Sequence, residues 1–120
     1  MEKLIIGETD RTPSVYLDKH EGRFEIQGKS LCDDPAEYYK PVISWFKSYA
    51  KSPNDHTEIV FKFEYLNTES SKAILDILLT LQNVAATRVA WCFSEEDEDM
   101  EEIGEEIAEL VTIPFEFRHE

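Results

Sequence analysis

The chain has 120 residues, 42% of them hydrophobic and 12% aromatic, which suits one folded domain with a single core rather than a disordered segment. Its 26 acidic residues outnumber 12 basic ones, for a formal net charge of −14. That charge repels nucleic acid and anionic lipid, leaving basic protein surfaces or cations as the fitting partners.

Residues 3–6 offer a short first strand. SVYL (14–17) and FEIQ (24–27) alternate apolar and polar residues around the turn cluster DKHEG (18–22), which predicts a β-hairpin. Asp34, Pro35 and Glu37 spell a helix start, with a capping aspartate, proline at the first helical position and a glutamate three residues after the cap. Tyr38, Val42, Trp45, Phe46 and Tyr49 then recur on one helical face. Tyr39 falls off that face and is expected as an exposed contact. Pro41 should bend this helix or remove one backbone bond, and residues 51–55 end it.

The clearest strand alternates Ile59, Phe61, Phe63 and Tyr65 with Glu58, Val60, Lys62 and Glu64. A polar turn, Asn67-Thr68-Glu69-Ser70-Ser71, leads to a second helix with Ile74, Ile77, Leu78 and Leu81 on one face. Val89, Trp91 and Phe93 alternate with Arg88, Ala90 and Cys92, which points Cys92 away from the core. An acidic run opens a third helix with Met100, Ile103, Ile107, Leu110 and Val111 on its apolar face, and residues 113–117 form a last strand. The order ββ-α-β-α-β-α-β predicts a single α/β domain over residues 1–120 with a mixed sheet. Alternating strands bury one face only, so the three helices are expected mainly on one face, leaving Glu25, Gln27, Lys62 and Glu64 on the open one.

Little here suggests catalysis. His20, His56 and His119 belong to no ligand pair or triad, and with four glycines in all there is no phosphate-cradling loop. No catalytic residue, metal or cofactor is expected. No apolar run nears the ~20 residues that span a membrane, and the opening MEKLIIGETD turns polar too soon for a signal-peptide core. Cys32 and Cys92 fit no Cys-x-x-Cys pattern and read as reduced thiols of a cytoplasmic protein.

Two segments remain. The run SEEDEDMEE (94–102) fails the EF-hand template, and acidic side chains suit a helix start. So many like charges exceed what a cap needs, which makes Glu95, Glu96, Asp97 and Asp99 candidates for docking a basic partner. In the turn, Asn67, Thr68 or Ser70 can each cap the helix. The same helix start also accommodates a phosphate. On Thr68 it would lie between Glu64 and Glu69 and add about −1.5 to −2 charge at pH 7, weakening a docked partner by repulsion and desolvation.

FEYLNTESSKAILDIL (63–78), with Thr12-Pro13, YKPVISW (39–45), WCFSEEDEDM (91–100) and IAELVTIPFEF (107–117), resembles the SiaC family of bacterial regulatory phosphoproteins over almost the whole chain. The resemblance implies a fold similar to the STAS domains of anti-sigma-factor antagonists and a non-enzymatic role in partner switching. It implies a dedicated protein kinase that phosphorylates the threonine matching Thr68, and a metal-dependent PPM-type serine/threonine phosphatase that reverses this. Asn67, Glu69, Ser70 and Ser71 make up the switch region. The unmodified form is expected to bind and activate a diguanylate cyclase or other effector, affecting cyclic di-GMP and biofilm formation. The alternative reading is a constitutive acidic adaptor that docks a basic surface through the segment before the third helix.

Overall fold

The alternating segments join one six-stranded sheet in the computed structural model, which describes all residues 1–120. The elements are β1 (Leu4–Ile6), β2 (Ser14–Asp18), β3 (Arg23–Ser30), α1 (Pro35–Tyr49), β4 (Thr57–Leu66), α2 (Thr68–Leu81), β5 (Thr87–Phe93), α3 (Glu98–Glu109) and β6 (Phe115–His119). Spatial order follows chain order, β1-β2-β3-β4-β5-β6. The short early loops give antiparallel pairs, and the helical crossovers give parallel pairs from β3 through β6. Each crossover advances one strand in the same direction. Right-handed connections of that kind place every helix on the same face, and a single apolar cluster accordingly joins the sheet to α1, α2 and α3.

The centre of the α1 stripe is Tyr39, Val42, Phe46 and Tyr49, all buried. Tyr39 is therefore not the exposed contact expected of it. Spacing through Tyr38 and Trp45 marked the flank of the stripe rather than its middle. These two half-buried aromatics hold the N-terminal segment: Tyr38 Oη donates to the Pro13 carbonyl at 2.7 Å and Trp45 Nε1 donates to the Glu2 carbonyl at 2.8 Å. The helix runs on through exposed Pro41, whose missing N–H leaves the Glu37 carbonyl to solvent.

Three further expectations are corrected. Between Gly28 and Lys29 the β3–β4 register jumps, pairing Gly28 with Phe63 but Lys29 with Tyr65. The bulge inverts the alternation, so Tyr65 turns outward at 57% exposure while Leu66 packs on the core. Cys92 does lie on the side away from the helices, yet it is buried. Burial pushes its thiol up to about 11, and contact with Glu120 adds to this. Leu110, placed on the core face of α3 by its spacing, caps that helix and is exposed.

Helix α3 lies directly on Trp91. The indole Nε1 donates to the Met100 carbonyl at 3.0 Å, and a Cβ on Gly104 would stand 2.5 Å from that ring. Gly104→Ala should therefore destabilise the protein, despite better helix propensity, by roughly 1–3 kcal/mol of overpacking. The midpoint of urea unfolding, followed by tryptophan fluorescence, measures it; an unchanged or raised midpoint would show that α3 can lift off the indole at no cost.

Candidate functional site

Because β3, β4 and β5 run parallel, the loops entering α1, α2 and α3 gather on one edge of the sheet. At the centre of that edge stands Asn67, the N-cap of α2. Its Oδ1 accepts from the Ser70 N–H at 2.8 Å, its Nδ2 donates to the Cys32 carbonyl at 3.3 Å, and its backbone N–H donates to the Ser30 carbonyl at 3.1 Å. Below it the buried Ser30 and Tyr39 hydroxyls bond each other at 2.7 Å, and burial raises the Tyr39 phenol above its ordinary value.

The three hydroxyls of the turn have different fates. Ser70 is fully buried and its Oγ has no partner in the protein. Ser71 is half-buried and its Oγ donates to the Thr68 carbonyl at 2.7 Å. Thr68, the first residue of α2, is exposed, and its Oγ1 makes no hydrogen bond in the protein. Glu69, also exposed, lies with its carboxylate 3.1 Å from Lys72 Nζ.

Thr68 also borders a groove of about 240 Å³ between α2 and α3. Leu66, Lys72 and Leu75 continue its near wall, and Ile103, Glu106, Ile107 and Leu110 form the far one. Exposed Leu79 carries the apolar strip of α2 onward, since residues 68, 72, 75 and 79 share a helical stripe. Sequence reading missed this groove, and Leu75 and Leu79 were its signal: apolar residues off the core face of an otherwise amphipathic helix.

The acidic loop is the neighbour of this turn. Phe63, Glu64 and Tyr65 of β4 share a cleft with Phe93, Ser94 and Asp97. Asp97 caps α3, accepting from the Met100 N–H at 3.0 Å, and Ser94 Oγ donates to Glu96 at 2.9 Å. Glu95, Glu96 and Asp99 are exposed. The structure thus brings the two candidate surfaces side by side, while no cluster of His, Cys, Asp or Glu has metal-binding geometry. His119 leans on the Phe93 ring, their centroids 4.8 Å apart. No helix is long and apolar enough to cross a membrane.

A family model described as SiaC family regulatory phosphoprotein matches residues 6–120. The chain belongs to the SiaC family. It is 30% identical over 119 residues to an uncharacterized protein of Pseudomonas aeruginosa, covering 96% of this chain and 94% of that one. Its fold superposes on SiaC of Pseudomonas aeruginosa with a TM-score of 0.88 at 28% identity, over the full length of both chains. A similar match, with a TM-score of 0.87 and 29% identity over 98% of this chain and 99% of the other, is to the crystal structure of the diguanylate cyclase SiaD in complex with its activator SiaC, from the same organism. Over this SiaC-family fold, the expected mixed sheet with helices on one face is what the structure holds.

If Asn67 is the cap on which the turn depends, Asn67→Ala should cost about 0.5–2 kcal/mol. Thr68→Ala, at a hydroxyl bonded to nothing, should stay within about 0.5 kcal/mol of the parent. Chemical denaturation of the two variants side by side gives the comparison, and equal losses would assign part of the cap to Thr68.

Proposed function

We propose that this SiaC-family protein is a partner switch: a kinase phosphorylates Thr68, a PPM-type phosphatase removes the phosphate, and the unmodified form engages and activates an effector. One observation carries this reading. Among the hydroxyls of the turn, Thr68 alone is both exposed and unbonded, because Asn67 supplies the cap, Ser71 is engaged by the Thr68 carbonyl and Ser70 is sealed in the core. A kinase can take Thr68 without dismantling the helix start. The modified helix then tolerates the charge, since unpaired N–H groups and the helix dipole favour an anion there.

The effector surface in this reading is the groove between α2 and α3. Its wall beside Thr68 is built from Leu66 and Leu75, so a partner that covers it presses apolar groups against the threonine methyl. A phosphate at that point must shed water to be covered, and it adds to the field of Glu64 and Glu69. A diguanylate cyclase is the effector class we favour, by similarity to the Pseudomonas aeruginosa SiaC that activates SiaD. The role is regulatory, with chemistry left to the kinase, the phosphatase and the cyclase.

A second reading draws on charge. Ten of the residues in 95–109 are acidic, and no Lys or Arg occurs between Arg88 and Arg118. A constitutive adaptor could dock a basic surface there whatever the state of Thr68.

Mass spectrometry of the protein from its native host, with phosphatases inhibited, should find phosphate on the peptide containing Thr68. Affinity for the host's cyclase should survive Thr68→Ala and fall roughly a hundredfold, ~2.8 kcal/mol, in authentic phosphoprotein. Equal affinity of modified and unmodified forms sinks the switch. Glu95→Gln, Glu96→Gln and Asp99→Asn together, with Asp97 left to cap α3, should abolish binding only if the adaptor reading holds.

A further inference from the structure

The phosphate placed on Thr68 by this reading meets a cation already in position. Lys72 is the only Lys or Arg between Lys62 and Arg88. It lies four residues beyond Thr68, one turn along α2, and both side chains line the same groove. In the unmodified protein its ammonium rests 3.1 Å from Glu69 Oε1, with both side chains about two-thirds exposed at 67% and 68%. An exposed pair of that kind is weakly held.

We propose that phosphothreonine 68 takes Lys72 from Glu69, so that Lys72 reads the modification within the same helix. The inference rests on Thr68 being the phosphoacceptor. Three physical terms favour the exchange. A phosphate carries up to twice the charge of a carboxylate and offers three acceptor oxygens. An acidic group four residues before a lysine has the better of the two orientations on a helix. The phosphate also stands at the helix N-terminus, where anions are stabilised.

Other charges oppose the dianion. Glu69 shares its helix, Glu106 faces it from α3 across the groove, and Glu64 lies on β4 before the turn. Lys72 is the one cation among the groove residues. Capturing it changes the groove twice in one event: an anion appears at Thr68, and the groove's one cation exchanges its exposed Glu69 partner for the phosphate. A partner that draws Lys72 from its weakly held Glu69 pair then finds the ammonium held by a hydrated cluster that is still net negative.

The test uses full-length protein with phosphothreonine installed at position 68 during translation, titrated by phosphorus NMR. Lys72→Met should raise the second phosphate pKa by roughly 0.3 unit, the size expected of one helical ion pair. Lys72→Arg should restore the lower value. Glu69→Gln should lower it further, because a competitor for Lys72 and a like charge are both removed. If the helix start alone holds the phosphate, Lys72→Met and the parent will titrate together, and the inference is overturned. Far-UV circular dichroism confirms that the exposed substitution leaves the helix in place. Since the phosphate is installed without a kinase, a null titration leaves the Thr68 reading standing. Conversely, absence of Thr68 phosphate in the host removes that reading while the titration result stands.

Discussion

The edge of the sheet where the helices begin depends on one asparagine. Asn67 ties three pieces of chain that would otherwise be independent: the end of β3 through the Ser30 carbonyl, the entrance to α1 through the Cys32 carbonyl, and the first turn of α2 through the Ser70 N–H. Aspartate or serine could cap the helix, but neither ionised aspartate nor a single hydroxyl offers an amide's separate donor and acceptor ends. Because Asn67 caps, Thr68 need not. The exposed hydroxyl of the turn is thereby excused from structural work, and a charge placed on it would break none of the turn's side-chain hydrogen bonds.

Topology decides what surrounds that hydroxyl. A sheet whose spatial order follows the chain puts all helix entrances on one edge and all helices on one face. Close contact of α3 with Trp91, possible because Gly104 has no side chain, seats that helix firmly on the sheet. The space left between α2 and α3 is the groove that Thr68 borders. The bulge after Gly28 adds a second effect: by turning Tyr65 out and Leu66 in, it supplies an apolar groove wall just before the turn.

Local features were legible in the sequence because their causes are local. The Asp34-Pro35-Glu37 start, the hairpin and the alternation of β4 through Phe63 each follow from residues within a few positions. Asn67 and the hydroxyl turn could be located, but not which oxygen capped, since Asn, Thr and Ser are all cap formers by residue type. What remained hidden depends on partners distant in the chain. Tyr39 is buried because Ser30 and Asn67 meet above it, and Cys92 because Lys62 and Arg118 of the neighbouring strands and Glu120 just beyond β6 surround it on the open face. Tyr65 escapes its pattern through a register shift set by β3. The groove needed two helices to be placed side by side before Leu75 and Leu110 could be seen as one surface.

The strongly acidic character of the chain constrains how such a switch can work. Phosphorylation would take the net charge from −14 to about −16, a small change in a field that is already negative everywhere along α3. Screening confines its influence to about 8 Å at physiological salt, and a basic partner would be attracted rather than repelled by it at longer range. In the proposed switch, inhibition would therefore have to arise locally, where an apolar contact would dehydrate the phosphate and where the only cation of the groove lies one helical turn away. A glutamate at position 68 brings one charge and two acceptor oxygens to that spot in place of the phosphate's two charges and three. It competes for Lys72 on nearly equal terms with Glu69, which is already there. By this reasoning carboxylate mimics would be weaker inhibitors than the phosphate itself, because they fall short of it both in charge and in their hold on Lys72.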